Sequence, residues 1–195
     1  MNSWFPTVLI QACIHSLPVA HSRMSPAMSR VIFQLSGSAR SLSTAKNSKA
    51  APPYVVIEDV NSDMWKLKEV IKILQEGGLG ILPTDTAYTF VTPVSSRNGV
   101  ERIYALREKE LELKKPLTLL CSSISQISHY TTALNSKRCF KMMKELLPGP
   151  YTFIFPATNE LPRVVLEHKG HTKAWKRKEI GVRIPDHDIC RHVIE

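Results

Sequence analysis

The residues best suited to chemistry in this sequence form a short polar turn after an apolar run. Pro83-Thr84-Asp85-Thr86 follows the run Leu79–Leu82, which places two hydroxyls and one carboxylate within three consecutive positions. Those groups could bind the ammonium and hydroxyl of an amino acid, and ligands of open α/β sheets lie beyond the carboxyl ends of strands. An ordinary turn, whose threonine and aspartate side chains satisfy local backbone donors, is the alternative.

A second set of candidate residues is cationic. Arg107, Lys109, Lys114 and Lys115 stand between an amphipathic segment and the apolar run 117–121. Guanidinium and ammonium groups could neutralise the oxygens of a triphosphate and of its leaving pyrophosphate. The same cations would also complement the dipole at the end of a helix, which is the alternative. The sequence has no Walker-type phosphate loop, so a nucleotide site here needs another design.

A third candidate is Arg183, which stands in the mostly apolar segment Gly181–Pro185. Because burying an unpaired guanidinium is costly, Arg183 needs an anionic partner. A substrate carboxylate and an internal aspartate both meet that need, and residue types alone do not choose between them. The four cysteines are widely spaced without a C-x-x-C pair, so neither a disulfide framework nor a metal site is predicted.

The elements that must position these residues follow from the hydrophobic periodicity. Strands alternate with helices, which favours an α/β domain with a twisted mixed sheet and flanking helices. The sequence ends at Glu195, inside the last predicted helix, and a strand–helix pair normally returns to its sheet through another strand. We therefore expect a domain that is incomplete at its C-terminus. The pattern predicts strands at 54–60, 79–82, 87–92, 117–121, 151–155 and 181–184, and helices from caps at 61–63 to about 76, at 98–109, at 136–147 and after Asp186.

Charge is distributed unevenly along the sequence. The formal net charge is +9, yet residues 1–57 contain no acidic side chain, and Glu58 is the first carboxylate. An acid-free stretch with arginine and serine is typical of a transit peptide. We therefore predict a disordered leader over residues 1–53 and a partial domain over 54–195. This assignment places the protein in a chloroplast or mitochondrion, with the cytoplasm as the alternative. The longest early apolar piece, around Val8-Leu9-Ile10, is too short and interrupted to span a bilayer, so no association with a membrane is predicted.

The order of four sequence blocks resembles that of the YrdC-like family, the threonylcarbamoyl-AMP synthases. The resemblance covers about residues 64–190, nearly everything after the leader, and an ordered set is more specific than any single block. The blocks read GGLGILPTDTAY, IYALREK with KKPLTLL, LLPGPYTFIF and IGVRIPDH.

This resemblance implies an α/β fold with a concave, positively charged face, related to dihydroxybutanone-phosphate synthase. It also implies an enzyme that condenses ATP, used as a substrate with Mg²⁺, with L-threonine and bicarbonate to form threonylcarbamoyl-adenylate and pyrophosphate. The product serves tRNA modification, and relatives have been associated with double-stranded RNA. Because the family depends on proximity, no catalytic side chain and no metal ligand is assigned.

Carried over by position, the resemblance assigns a binding role to six residues. Three would hold the amino acid, and Arg183 would take its carboxylate by a forked ion pair. The threonine-binding set is Thr84, Thr86 and Arg183, and the nucleotide-binding set is Arg107, Lys109 and Lys115.

The sequence also departs from the family pattern. The family has Lys-x-Arg where this sequence has Arg107-Glu108-Lys109, Leu120 replaces a histidine that many relatives carry, and no Ser-x-Ala-Asn segment follows the R-I-P strand. These differences predict weak or no synthase activity. They also favour an alternative, a catalytically weak RNA-binding or regulatory module. A sugar-phosphate lyase is the last candidate, because no convincing cluster of acidic metal ligands is present.

Overall fold

One mixed sheet of eight strands organises the part of the chain that the structure describes. The computed structural model describes residues 9–13, 29–34, 54–109, 116–166 and 178–195. The strand order is β3-β2-β4-β5-β1-β6-β8-β7; β6 and β8 are parallel, and the other pairs are antiparallel. The prediction of an α/β fold with a mixed sheet is confirmed. The strands are β1 Leu9–Cys13, β2 Ser29–Gln34, β3 Tyr54–Ile57, β4 Leu79–Leu82, β5 Thr89–Pro93, β6 Thr118–Leu120, β7 Phe153–Pro156 and β8 Glu179–Arg183.

Helices connect most of these strands. A 3₁₀ turn, Met64–Leu67, joins the first two helices, and a second one, Ala133–Asn135, precedes the fifth. The predicted helices near 98–109 and 136–147 are present within one or two residues. The structure adds a helix over Ile124–Tyr130 that the sequence pattern did not predict. The helices are α1 Val60–Asp63, α2 Lys68–Gln75, α3 Arg97–Lys109, α4 Ile124–Tyr130, α5 Lys137–Leu146, α6 Arg163–Leu166 and α7 Asp188–Ile194.

Two helix starts differ from the sequence prediction. The first helix begins after Asp59, whose side chain accepts a hydrogen bond from the Asn61 backbone N–H at 3.0 Å, so the cap precedes the predicted one. Asp186 does not cap the last helix, because His187 occupies the N-cap position and makes no side-chain capping bond there. Gly77 lies two residues after the end of α2 and has a φ of 86°. Glycine adopts this left-handed conformation without steric cost and commonly ends a helix.

Strand alternation divides the core into two buried clusters. Leu119 and Val182 belong to the cluster that includes α3 residues, whereas Leu120 belongs to the cluster that includes α2 and α7 residues. Successive side chains of a strand point to opposite faces. Arg183 follows Val182 in β8, so its side chain points to the face that α2 and α7 cover.

The predicted leader contains two strands of the sheet. Residues Leu9–Cys13 lie between β5 and β6, and Ser29–Gln34 lie between β3 and β4. Leu9 is fully buried. The prediction of a disordered leader over 1–53 is therefore wrong for these two segments, because their backbones pair with neighbouring strands on both sides. The rest of that range lies outside the described residues.

Candidate functional site

Arg183 at the end of β8 meets the turn that follows β4. Three strands separate β4 from β8 in the sheet, and the pairings make the two strands run in opposite directions. Four strand spacings amount to about 19 Å, which exceeds the reach of one arginine side chain. Nevertheless, Arg183 Nη1 donates a hydrogen bond to Thr86 Oγ1 at 2.9 Å. The sheet must therefore curl, so that its concave face brings the turn over Arg183.

The turn is held in shape by Thr84. Its hydroxyl donates to the Ala87 carbonyl oxygen at 2.7 Å and accepts from the backbone N–H groups of Thr86 and Ala87 at 3.3 and 3.2 Å. The Thr84 N–H also donates to the Ala87 carbonyl oxygen, at 3.2 Å. Thr84 thus performs the local role that threonine commonly has in turns. Its predicted contact with a substrate stays a prediction.

Thr86 differs from Thr84 in exposure and in its partners. Its side chain is exposed, whereas Thr84 is buried. The Thr86 hydroxyl accepts from Arg183, and it lies 3.3 Å from the Thr84 hydroxyl oxygen. Because Thr84 already donates its proton to Ala87, the Thr86 hydroxyl proton can go either to Thr84 or to a ligand. Thr86 is therefore the residue of the turn that faces both Arg183 and solvent.

An internal aspartate partners the buried guanidinium. Arg183 is only 4% exposed, and its Nη2 forms an ion pair with Asp85 Oδ1. The pair is nearly buried on both sides, since the Asp85 side chain is 12% exposed. Of the two partners that the sequence left open for Arg183, the structure contains the internal one. Neither group is saturated, because Asp85 Oδ2 and Arg183 Nε are buried and have no hydrogen-bond partner.

Two further titratable side chains border this ion pair. Burial lowers the pKa of His187, and the carboxylates of Asp188, Asp85 and Asp186 oppose that shift. Burial also raises the pKa of the Cys190 thiol to about 12, an effect to which Asp85 adds and which Arg183 opposes. The Asp85 carboxylate thus acts on both side chains, whereas Arg183 acts on Cys190. At neutral pH His187 is thus a neutral imidazole, and Cys190 is an unreactive thiol.

The third sequence block lies next to the fourth. The Gly149 backbone N–H donates to the Ile184 carbonyl oxygen at 3.0 Å, and the Cys121 N–H donates to the Arg183 carbonyl oxygen at 2.9 Å. These bonds hold the backbone carbonyl groups of Arg183 and of the residue that follows it. The Pro148–Pro150 segment therefore supports the position of Arg183. Tyr151, which follows that segment, is half exposed.

The predicted nucleotide-binding side chains lie outside what the structure describes. Arg107 and Lys109 belong to the last turn of α3, where the backbone is described and the side chains are not. Lys115 lies outside the described residues. The structure therefore brings Thr84, Thr86 and Arg183 together, and the roles of the three cations stay predictions.

Two members of this site go beyond what the sequence predicts. The sequence places Asp85 in the polar turn, but it leaves a substrate carboxylate and an unspecified internal aspartate as alternative partners of Arg183. His187 was not singled out, although it stands four residues after Arg183, at the turn into α7. The spacing Arg-x-x-x-His across a strand end could have raised it as a candidate.

The described part of the chain lacks both a cluster of metal-ligating side chains and a helix able to span a membrane. Its side chains contain no group of three or more His, Cys, Asp or Glu residues that could hold a metal ion. Among the helices that can be described, none has the length and apolar character needed to cross a bilayer.

Comparison with known proteins shows the class of protein that this fold and site define. Residues 72–195 match the profile of the family of Sua5, YciO and YrdC proteins, whose description is "telomere recombination". The chain belongs to this family. The resemblance inferred from the four sequence blocks is thereby confirmed.

Relatives within the family fall into two groups. An uncharacterised protein of Haemophilus influenzae is 34% identical over 70% of this chain and 61% of its own length, and YciO of Escherichia coli K12, also uncharacterised, is 32% identical over 73% and 64%. The threonylcarbamoyl-AMP synthase of Pyrococcus abyssi is 25% identical over 67% of this chain and 35% of its own. The uncharacterised relatives are thus more similar to this chain than the named synthase is.

Solved structures from both groups of relatives also match this chain. The crystal structure of E. coli YciO matches with a TM-score of 0.56 at 32% identity, over 67% of this chain and 58% of that one. P. abyssi Sua5 complexed with L-threonine matches with a TM-score of 0.57 at 25% identity, over 67% and 35%. The chain spans about three fifths of the length of the H. influenzae and E. coli relatives.

Proposed function

We propose that the site formed by Thr86, Asp85 and Arg183 binds L-threonine for adenylate formation, as in a threonylcarbamoyl-AMP synthase. In this reaction ATP, L-threonine and bicarbonate give threonylcarbamoyl-adenylate and pyrophosphate. Membership in the family and the names of its synthases support the proposal. So does the complex of P. abyssi Sua5 with L-threonine.

The single observation that carries the proposal is the convergence of Arg183 and the threonine-containing turn. Arg183 Nη1 and Thr86 Oγ1 are 2.9 Å apart, although they belong to segments 97 positions apart in sequence. A guanidinium is a rigid fork that recognises carboxylates, and a hydroxyl beside it can recognise a second polar group. An α-amino acid with a β-hydroxyl presents groups of both kinds.

The chemistry that we propose depends on placement more than on acid–base groups. The amino group of threonine reacts with bicarbonate, with loss of water, to form a carbamate, and an oxygen of this carbamate attacks the α-phosphorus of ATP. The P–O bond to pyrophosphate breaks as the new bond forms, so the attacking oxygen must lie in line with the leaving group. We assign Arg107, Lys109 and Lys115 to the phosphate oxygens, where cations stabilise the leaving pyrophosphate.

Two measurements on the full chain test this proposal. Isothermal titration with L-threonine should show binding that Arg183→Lys weakens, because lysine keeps the charge and loses the fork. Arg163→Lys is a matched control, since Arg163 stands on α6, outside the site. Pyrophosphate release that requires ATP, threonine and bicarbonate together tests the chemical step. Absence of threonine binding would contradict the proposal, and binding without pyrophosphate release would limit it to recognition.

A second candidate function is a catalytically weak module that binds RNA or regulates a partner. Two observations favour it: the greater similarity to uncharacterised YciO proteins than to the named P. abyssi synthase, and the reversed order of Arg107 and Lys109. This alternative predicts binding to tRNA or duplex RNA that falls steeply with salt, because phosphate contacts release counterions. The same preparation would then release no pyrophosphate.

We also propose that residues 1–53 direct the protein to a chloroplast or mitochondrion. Their acid-free, arginine-containing composition supports this location. A fluorescent protein fused to residues 1–53 should enter one of these organelles. Uniform cytoplasmic fluorescence would contradict the proposal.

A further inference from the structure

Three buried polar atoms without hydrogen-bond partners lie in one cluster. Within the described residues, the buried side-chain nitrogens and oxygens that lack a partner are Asp85 Oδ2, Arg183 Nε and His187 Nδ1. Asp85 and Arg183 form an ion pair, and the Asp85 carboxylate also acts on the His187 ring, where it opposes the lowering of the His187 pKa by burial. The three atoms therefore belong to a single site rather than to scattered defects.

Such atoms are costly in a folded protein. Buried polar groups are almost always hydrogen-bonded, and an unmet group carries its full desolvation penalty. Arg183 Nε can only donate, whereas a carboxylate oxygen can only accept. A neutral imidazole has one nitrogen that accepts, so an unpartnered Nδ1 suits a donor as its ligand. The cluster thus offers one donor and two acceptors.

We propose that Asp85 Oδ2 and His187 Nδ1 form the subsite that receives the α-ammonium group of the amino acid. Arg183 Nε then donates to the carboxylate of the same molecule. The proposal rests on the proposed function, because it takes an amino acid as the ligand of this site. It adds His187 to that site and assigns to Asp85 and His187 the selection of the ammonium group.

The charge of the cluster supports this arrangement. Asp85 already neutralises Arg183, so the buried pair has no net charge before a ligand binds. A zwitterion adds opposite charges that fall on opposite sides of the pair, the ammonium beside Asp85 and the carboxylate beside Arg183. An anion without an ammonium group would leave Asp85 Oδ2 without a hydrogen-bond donor and would add a second negative charge close to it. The site should therefore select amino acids over the corresponding hydroxy acids.

The state of His187 is consistent with an acceptor role. The charged groups that act on its ring are the carboxylates of Asp188, Asp85 and Asp186. Arg183 is the charged residue at the end of the strand that precedes His187. Burial outweighs the carboxylates and lowers the pKa of His187 below its usual value. The imidazole is then neutral at pH 7 and can accept a hydrogen bond from the ammonium group.

The first test uses the unaltered protein and three ligands. Isothermal titration compares L-threonine with 3-hydroxybutyrate, which lacks the ammonium group, and with threoninol, which lacks the carboxylate. Losing one charge-assisted hydrogen bond typically weakens binding roughly 10- to 100-fold. We expect a loss of that order for each analogue. Binding of 3-hydroxybutyrate as tight as that of threonine would overturn the inference without any variant.

The second test asks whether the two residues cause the selectivity. In Asp85→Asn and in His187→Gln the ratio of the threonine and 3-hydroxybutyrate affinities should fall roughly 10-fold or more, because the ammonium loses an acceptor. Asp186→Asn is the matched control, since it removes a carboxylate from an exposed position beside His187. Unchanged selectivity in both site variants would overturn the inference.

The outcomes separate this inference from the proposed function. If another amino acid binds in place of threonine, with the same selectivity and the same response to Asp85→Asn, the ammonium subsite stands and the assignment of threonine falls. If threonine binds without selectivity over 3-hydroxybutyrate, the subsite falls and the proposed function stands. If the unaltered protein binds no amino acid, both fall.

Discussion

Arg183 and Asp85 form a buried ion pair that joins the end of β8 to the turn after β4. The two residues lie on segments 98 positions apart, so the pair closes a long-range contact across the curled sheet. The same pair holds the guanidinium against Thr86 and leaves Arg183 Nε and Asp85 Oδ2 without a hydrogen-bond partner. Under the proposed function, stability and ligand recognition therefore depend on different atoms of the same two residues.

Breaking the pair from either side should destabilise the fold. Removing one partner of a buried ion pair leaves an uncompensated charge and typically costs about 3–5 kcal/mol. We expect a loss of this order for Asp85→Ala and for Arg183→Met, measured as the free energy of unfolding in urea. The double variant should lose much less than the sum, because no unpaired charge remains. Additive losses would show that the two side chains do not interact in solution.

A second prediction concerns acid stability. Burial lowers the pKa of His187 in the folded state below its usual value near 6.5, so the unfolded chain binds a proton first as pH falls. The contribution of neutral His187 is fully present above the unfolded pKa and is lost as pH falls through the folded one. His187→Gln should therefore lose less stability than the unaltered protein below about pH 6.5.

The exposed His192 on α7 supplies a matched control for that experiment. His192→Gln makes the same change of residue type at an exposed position of the helix that follows His187, so it controls for effects of the substitution itself. Unfolding curves at several pH values measure both variants. Equal pH slopes for His187→Gln and the unaltered protein would contradict the role assigned to burial.

A third prediction concerns the close approach of α3 to β5. A Cβ at Gly99 would overlap the hydroxyl oxygen of the fully buried Thr92, which donates to the Gly78 carbonyl oxygen at 3.0 Å. Alanine improves helix propensity by about 1 kcal/mol, but the overlap and the displaced hydrogen bond together cost more. Gly99→Ala should therefore lower the free energy of unfolding by roughly 1–3 kcal/mol.

Two further variants make this prediction specific. Thr92→Ala should recover part of the loss in the Gly99→Ala background, since it removes the overlapping hydroxyl. Asn98→Ala alters the neighbouring exposed position of the same helix and should change stability by less than about 0.5 kcal/mol. A neutral or stabilising Gly99→Ala would mean that α3 lies farther from β5 than described.

Local patterns predicted the elements near the site better than the contacts between them. Periodicity and glycine or proline breaks located β4, α3 and β8 to within a few residues, because these signals are encoded in short windows. The partner of Arg183 depends on how the sheet curls, which no short window specifies. The sequence placed Asp85 in a polar turn that could bind a ligand. Only the folded structure shows that its carboxylate pairs with Arg183 Nη2.

The predicted leader failed in part for a related physical reason. Composition identified residues 1–53 by the absence of acidic side chains, and that feature carries no information about strand pairing. Residues Leu9–Cys13 form a strand that is hydrogen-bonded to both β5 and β6. In the sequence, this segment is recognisable only as a short apolar stretch. Pairing partners far away in sequence decided that this piece forms a strand.

A final prediction tests whether β1 is part of the folded sheet. The backbone of Gln11 pairs with Val91 of β5 and with Thr118 of β6. Proline at this position removes the backbone N–H from a central strand, whereas alanine keeps it. Gln11→Pro should therefore lower the free energy of unfolding by roughly 2 kcal/mol or more, and Gln11→Ala by far less.

The same comparison bears on the predicted leader. A transit peptide that is removed on import would take β1 with it and leave β5 and β6 without a shared neighbour, which exposes two strand edges. If Gln11→Pro and Gln11→Ala unfold at the same urea concentration, the sheet does not need β1, and removal of residues 9–13 is compatible with a stable domain. If only Gln11→Pro is destabilised, residues 9–13 must stay with the mature protein, and a signal within this segment must act without cleavage after it.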